Sequence, residues 1–194
     1  MKNRKKSARK HSGREKRFAG SAPVRSQPGW GLARSRGIPT LHAKALARIP
    51  WLIHGFSTRQ CGASRLGGER VLNLGNTDWD TEEKVGKNRA LLMAALGAEK
   101  MPLASLQQCH TDILHVVSKP SAEALRGDAL LTASLGMLLA VKTADCVPIL
   151  LADKKRRAIA AVHAGWRGTL ARIAEKTVGR MQMEFGTRPR DVVV

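Results

Sequence analysis

Apolar positions along this chain change their spacing twice. Leu41 to Leu46 is a short amphipathic run, and Ile49 to Phe56 has the character of a strand. Cys61 to Arg70 is Gly-rich and reads as a loop. Thr81 then stands before Glu82 and Glu83, an N-cap with an acidic first turn. Val85, Leu92 and Leu96 follow at helical spacing up to Gly97, which ends the helix. Beyond Gly97 the runs shorten: Leu103 to Gln108, Ile113 to Val117, Ala129 to Thr132, Met137 to Val141, Val147 to Leu151 and Ala158 to Val162. Several are apolar at successive positions, as in strands covered on both sides. Leu170 to Phe185 returns to helical spacing, with Leu170, Ile173, Ala174, Thr177, Val178, Met181 and Phe185 on one stripe. Asp191 to Val194 opens a further strand with no turn or polar end after it, which reads as the end of a fragment.

The first 38 residues have no such periodicity. They hold 12 Lys and Arg against one acid, Glu15, whereas residues 39–194 hold 22 against 14. A Lys-, Arg-, Ser- and Gly-rich segment cannot bury enough surface to offset its ordering entropy. Residues 1–38 are therefore expected as a disordered basic tail, and 39–194 as a single enzyme-sized domain, incomplete at its C-terminus. The tail is the one feature that would touch nucleic acid phosphates; its plainer reading is a solvated extension. Neither a secretory signal nor a run of ~20 apolar residues is present, so no membrane partner is expected and the location expected is cytoplasmic. Three cysteines form no disulfide scaffold and point to free thiols or metal ligation.

Three strand ends carry residues that bind metals. His110 closes one, Cys146 follows a second, and His163 ends a third. If the strands share a sheet, two imidazoles and a thiolate meet at one edge, the donor set of a catalytic zinc with an open fourth position. Copper suits the same donors. Asp145, beside Cys146, is a candidate proton carrier or an ordinary turn residue. Arg59 is a candidate substrate contact or a surface charge. Arg167, Gly168 and Thr169 open the last helix and are candidates for phosphate binding, with a plain helix start as the alternative. Trp166 reads as a core residue. Cys146 with His163 would also serve as nucleophile and base of a hydrolase.

The ordered pieces HGFSTR (54–59), NLG (73–75), KNR (87–89), QCH (108–110), GDALLT (127–132), TADCVP (143–148) and HAGWRGT (163–169) resemble the YfiH-like, laccase-domain family of multicopper polyphenol-oxidoreductase-like proteins. The resemblance spans about residues 50–194. It implies an α/β domain of mixed sheets in a layered α/β/β/α arrangement. It implies zinc, or alternatively copper, on His110, Cys146 and His163. It implies phosphorolysis of adenosine, inosine and methylthioadenosine, with adenosine deamination, so the expected partners are a small nucleoside and phosphate. Catalytic roles would fall to Cys146, Asp145 and Arg59. The alternatives are a copper-dependent polyphenol oxidase and an inactive metal-binding fragment whose tail touches nucleic acid. Thr111 stands where the family usually has Gly, and the family's later Gly-Pro loop and Cys-Tyr-Glu-Val-like segment have no counterpart. The preferred nucleoside, resident metal and oligomeric state are left open.

Overall fold

A computed structural model describes residues 28–121 and 125–194. Its first half contains β1 (Trp30–Ser35), β2 (Ile38–Ala43), α1 (Lys44–Ala47), β3 (Phe56–Ser57), β4 (Gln60–Leu66), β5 (Glu69–Val71) and α2 (Glu82–Ala95). Then come β6 (Leu103–Ser105), β7 (Leu114–Val116), β8 (Ala129–Thr132), β9 (Leu138–Ala140), β10 (Val147–Asp153), β11 (Ala158–Ala164), α3 (Trp166–Leu170), α4 (Ile173–Phe185) and β12 (Val192–Val193).

The largest sheet has the order β12-β10-β11-β8-β7, antiparallel except for the β7–β8 pair. Every residue of β8 is buried, which explains its unbroken apolar run. Leu131 packs in one core with Ile173 and Met181 of α4; Leu130 packs in another with Ala104, Leu106 and Met137. The sheet thus carries a helix on one face and the small parallel β6–β9 pair on the other. α2 lies against β2 and β4. This is the mixed α/β class expected from the sequence. Among the described residues no helix is long and apolar enough to cross a membrane.

Four expectations need correction. Ordered chain begins before Pro39: Trp30–Ser35 pairs with β2 through a turn at Arg36 and Gly37, both at positive φ. The tail can therefore extend no further than residue 27, and residues 1–27 lie outside the described residues. Ile49 to Phe56 is not a strand. Pro50 offers no N–H, and Ile49, Trp51 and Leu52 turn across β10 and β11 as a hydrophobic cap, leaving only Phe56–Ser57 extended. Cys61 to Arg70 is not a loop. It is the hairpin of β4 and β5, turned by Gly67 and Gly68 at positive φ. The last helix is broken at Arg172, whose φ of 62° is left-handed. α3 therefore diverges from α4, and Leu170, expected on the apolar stripe, is 79% exposed.

Candidate metal centre

Two registers assemble the site. β10 and β11 pair with Val147 opposite Ala164 and Pro148 opposite His163, so one step further Cys146 falls opposite Gly165. β8 and β11 pair with Ala129 opposite Val162, so Asp128 falls opposite His163. The His163 backbone N–H donates to the Asp128 carbonyl at 2.7 Å, which extends that ladder by one residue. Directly opposed residues on antiparallel strands bring their side chains into contact. Here His163 Nδ1 lies 2.8 Å from Asp128 Oδ1, with both side chains buried.

The third donor arrives on the turn 109–111. His110 sits there at φ 58°, a left-handed conformation that is unfavourable for a residue with a Cβ. The turn is held by Asp128. Oδ1 accepts the His110 N–H at 3.0 Å, and Oδ2 accepts the Thr111 N–H at 2.7 Å and the Thr111 hydroxyl at 2.9 Å. Burial opposes ionisation of Asp128, but bonds from Thr111, His163 and His110 outweigh it and hold its carboxyl at about 2. Gln108 ties the turn to the segment before Cys146, accepting from Lys142 N–H and donating to Lys142 C=O.

The outcome is that one ligand atom each from His110, Cys146 and His163 lies within 4.8 Å of the others. The rings of His110 and His163 meet edge to face, 5.0 Å apart. A Cβ on Gly165 would stand 3.1 Å from His110 Cδ2 and 3.3 Å from Cys146 Sγ, so glycine leaves the donors their space. With Nδ1 bound to a carboxylate, His163 has Nε2 as its free ring nitrogen. Two imidazoles, one thiol and a carboxylate behind one imidazole are donors that fit a zinc-type ion with an open position.

Comparison with known proteins gives the family. The family described as "Multi-copper polyphenol oxidoreductase laccase" matches residues 53–194. The chain belongs to that family. A Deinococcus radiodurans relative named "Purine nucleoside phosphorylase" is 44% identical over 156 residues, covering 80% of this chain and 58% of the relative. A Bacteroides thetaiotaomicron relative of the same name is 42% identical over 159 residues, covering 77% and 58%. YlmD from Geobacillus stearothermophilus superposes with a TM-score of 0.73 at 29% identity, covering 83% of this chain and 62% of that one. The chain thus spans somewhat more than half the length of these laccase-family relatives.

The other candidate residues are not gathered equally. Arg59 pairs with Glu69 at 3.2 Å on the exposed β4–β5 hairpin and bonds to none of the three donors. Asp145 is exposed and has no hydrogen-bond partner among the described residues. Trp166 is 70% exposed, contrary to its core reading, and Arg167 lies over its ring at 5.1 Å. The Thr169 backbone N–H is bound to Gly165 C=O at 2.8 Å, which leaves only its hydroxyl for a ligand. Gly168 is a packing glycine: a Cβ there would stand 2.9 Å from Thr111 C=O. Asp128 was not picked out from the sequence as a site residue. The signal that finds it is its place opposite His163, and that requires knowing which strands pair.

Proposed function

We propose that this chain carries the metal-binding core of a purine nucleoside phosphorylase, with adenosine deamination as a second activity at the same site. The supporting observation is the convergence of His110, Cys146 and His163 donors within 4.8 Å, on a chain related to proteins of that name. Zinc is the metal proposed, and it would supply Lewis acidity at its open fourth position. In phosphorolysis a phosphate oxygen bonds to the anomeric carbon of the ribose as the glycosidic C–N bond breaks and the purine leaves with a proton. Arg167, whose guanidinium has no carboxylate partner among the described residues, binds the phosphate, aided by the Thr169 hydroxyl. Gly168 keeps the backbone close to the turn 109–111. Asp145 stands free to hand a proton to the departing base. Arg59, on its hairpin, contacts the nucleoside.

The test is turnover of adenosine and inosine by the purified chain, with and without phosphate, with metal content measured on the same sample. Phosphate-dependent release of adenine or hypoxanthine, with about one zinc per chain, supports the reading. Bound copper with phenol oxidation would replace it by the oxidase. Cys146→Ala should abolish both nucleoside reactions; full activity in that variant refutes the site. One observation favours a second reading: His163 is backed by Asp128, as the base of a Cys-His-Asp hydrolase would be. Hydrolysis of an ester by metal-free protein would select it.

A further inference from the structure

We infer that Asp128 is the positioning residue for both histidines of the centre, fixing the tautomer of one and the backbone conformation of the other through a single carboxylate. The inference deepens the metal-site reading above and rests on it for its consequence, though not for its geometry.

Asp128 is fully buried and has no Lys or Arg partner among the described residues. A buried carboxylate without a cation must be satisfied by hydrogen bonds. All of its satisfaction comes from two places. One is His163 Nδ1. The other is the turn 109–111, which supplies the N–H groups of His110 and Thr111, the Thr111 hydroxyl, and longer contacts from Cys109 N–H at 3.4 Å and Cys109 Sγ at 3.7 Å. Asp128 itself is fixed from both sides. Its N–H donates to Ile113 C=O at 2.8 Å and its C=O accepts from His163 N–H. Gly127 before it has no room for a side chain, since a Cβ would stand 2.8 Å from Ile113 C=O.

The consequence follows from donor and acceptor arithmetic. An ionised carboxylate only accepts, so the proton of the neutral His163 ring must be on Nδ1 and the lone pair on Nε2. The same group rewards His110 for its left-handed backbone by taking its N–H. Asparagine has the same shape but one acceptor oxygen and one NH₂. If the NH₂ faces His163 Nδ1, the ring proton moves to Nε2 and the free lone pair is lost. If it faces Thr111, donor meets donor and the turn opens. Oδ1 serves both histidines and Oδ2 serves Thr111, so no orientation of asparagine satisfies His163 and Thr111 together.

The experiment uses the full chain and its D128N and D128A variants. Nitrogen-15 NMR of the imidazole rings in metal-free protein, at about pH 8.5 where an ordinary imidazole is neutral, reads the tautomer directly. Wild-type His163 should be protonated at Nδ1, and D128A, which removes the acceptor, should move the proton to Nε2, the tautomer that predominates in free histidine. Zinc affinity by chelator competition should fall by roughly 10–100-fold in D128N. Circular dichroism keeps a folding failure apart from a site effect. A wild-type His163 protonated at Nε2 overturns the inference, whether or not the variants fold. Equal zinc affinity in folded D128N overturns it as well. A wild-type chain with the Nδ1 tautomer but no zinc affinity upholds the positioning role while refuting the metal reading.

Discussion

Replacing Gly165 by Ala perturbs the centre with almost no effect elsewhere. Gly165 has φ −72° and ψ 167°, a conformation alanine adopts freely, so the backbone carries no strain in the variant. Removing a glycine restricts the unfolded chain, which stabilises by about 0.4–1 kcal/mol. Alanine is a poorer N-cap than glycine at the start of α3, a loss of similar size. The two offset, and the metal-free melting temperature should stay within about 3 °C of the parent. The new methyl stands 3.1 Å from His110 Cδ2, 3.3 Å from Cys146 Sγ and 3.8 Å from His163 Cε1. The first two contacts force the imidazole and the thiol to retreat by a few tenths of an ångström. Metal–ligand distances tolerate only about 0.2 Å, so two of the three donors are pushed beyond the range that binding allows.

A displacement of that size should weaken zinc about tenfold or more, as loss of an orienting partner does. Tenfold weaker binding removes about 1.4 kcal/mol of ligand-linked stability, or roughly 3–5 °C of the rise that saturating zinc gives the parent. The assay is thermal melting of both proteins with a chelator and with a fixed excess of zinc. An unchanged zinc-dependent rise in the variant would refute the convergence of these donors around Gly165. A metal-free melting temperature more than about 10 °C lower would refute the claim that the site and the fold separate here.

Gly168→Ala should behave in the opposite way, because its Cβ would meet a backbone carbonyl, Thr111 C=O, at 2.9 Å, with Ile173 Cγ2 at 3.4 Å. A loss of about 1–3 kcal/mol in urea unfolding is expected even without metal, and parent-like stability would show that α3 does not press on the turn. Asp128 has its carboxyl held at about 2 against an ordinary 3.8, so its contribution is complete above about pH 4 and is lost as pH falls toward 2. The metal-free chain should lose about 2 kcal/mol more than D128N over that window, and parallel pH profiles would count against the hydrogen-bond set. Asn88 is a buried residue of α2, where it accepts from Ala63 N–H at 2.6 Å and donates to Ser64 Oγ and Asn73 C=O at 2.8 Å each. Asn88→Ala should cost about 3 kcal/mol and lower the melting temperature by roughly 10 °C; a change under about 3 °C would show that the β4–β5 hairpin does not depend on it.

How much of this was legible in the sequence depends on whether an element follows from local pattern or from pairing. α2 was readable because its cap, acidic first turn and apolar spacing are all local, and Thr81 Oγ1 does accept from Lys84 N–H. The β4–β5 hairpin was missed although Gly67–Gly68 between alternating residues is a hairpin signal, since six successive exposed positions at the tip, 65–70, hide the alternation. β1 was missed because four of its six residues are exposed and the basic residues around it dominate the composition. The break at Arg172 had no local sign at all. Nothing in a helical stripe shows that one non-glycine residue will take a left-handed φ.

The centre shows the same division more sharply. Its three donors were found as residue types at strand ends, but their separations along the chain carried little weight, because no short motif has them. Once β10 and β11 are known to pair, the separation becomes a consequence. A hairpin that sets Val147 against Ala164 must set Cys146 against Gly165, with His163 two residues along from Gly165 and so on the same face. The β8 register then leaves a single residue, Asp128, opposite His163. A carboxylate at that position orients the ring; an apolar residue would leave Nδ1 buried and unpaired, a loss of about 1–3 kcal/mol. Register thus dictates which residue backs the histidine, and the chemistry of imidazole dictates what that residue must be.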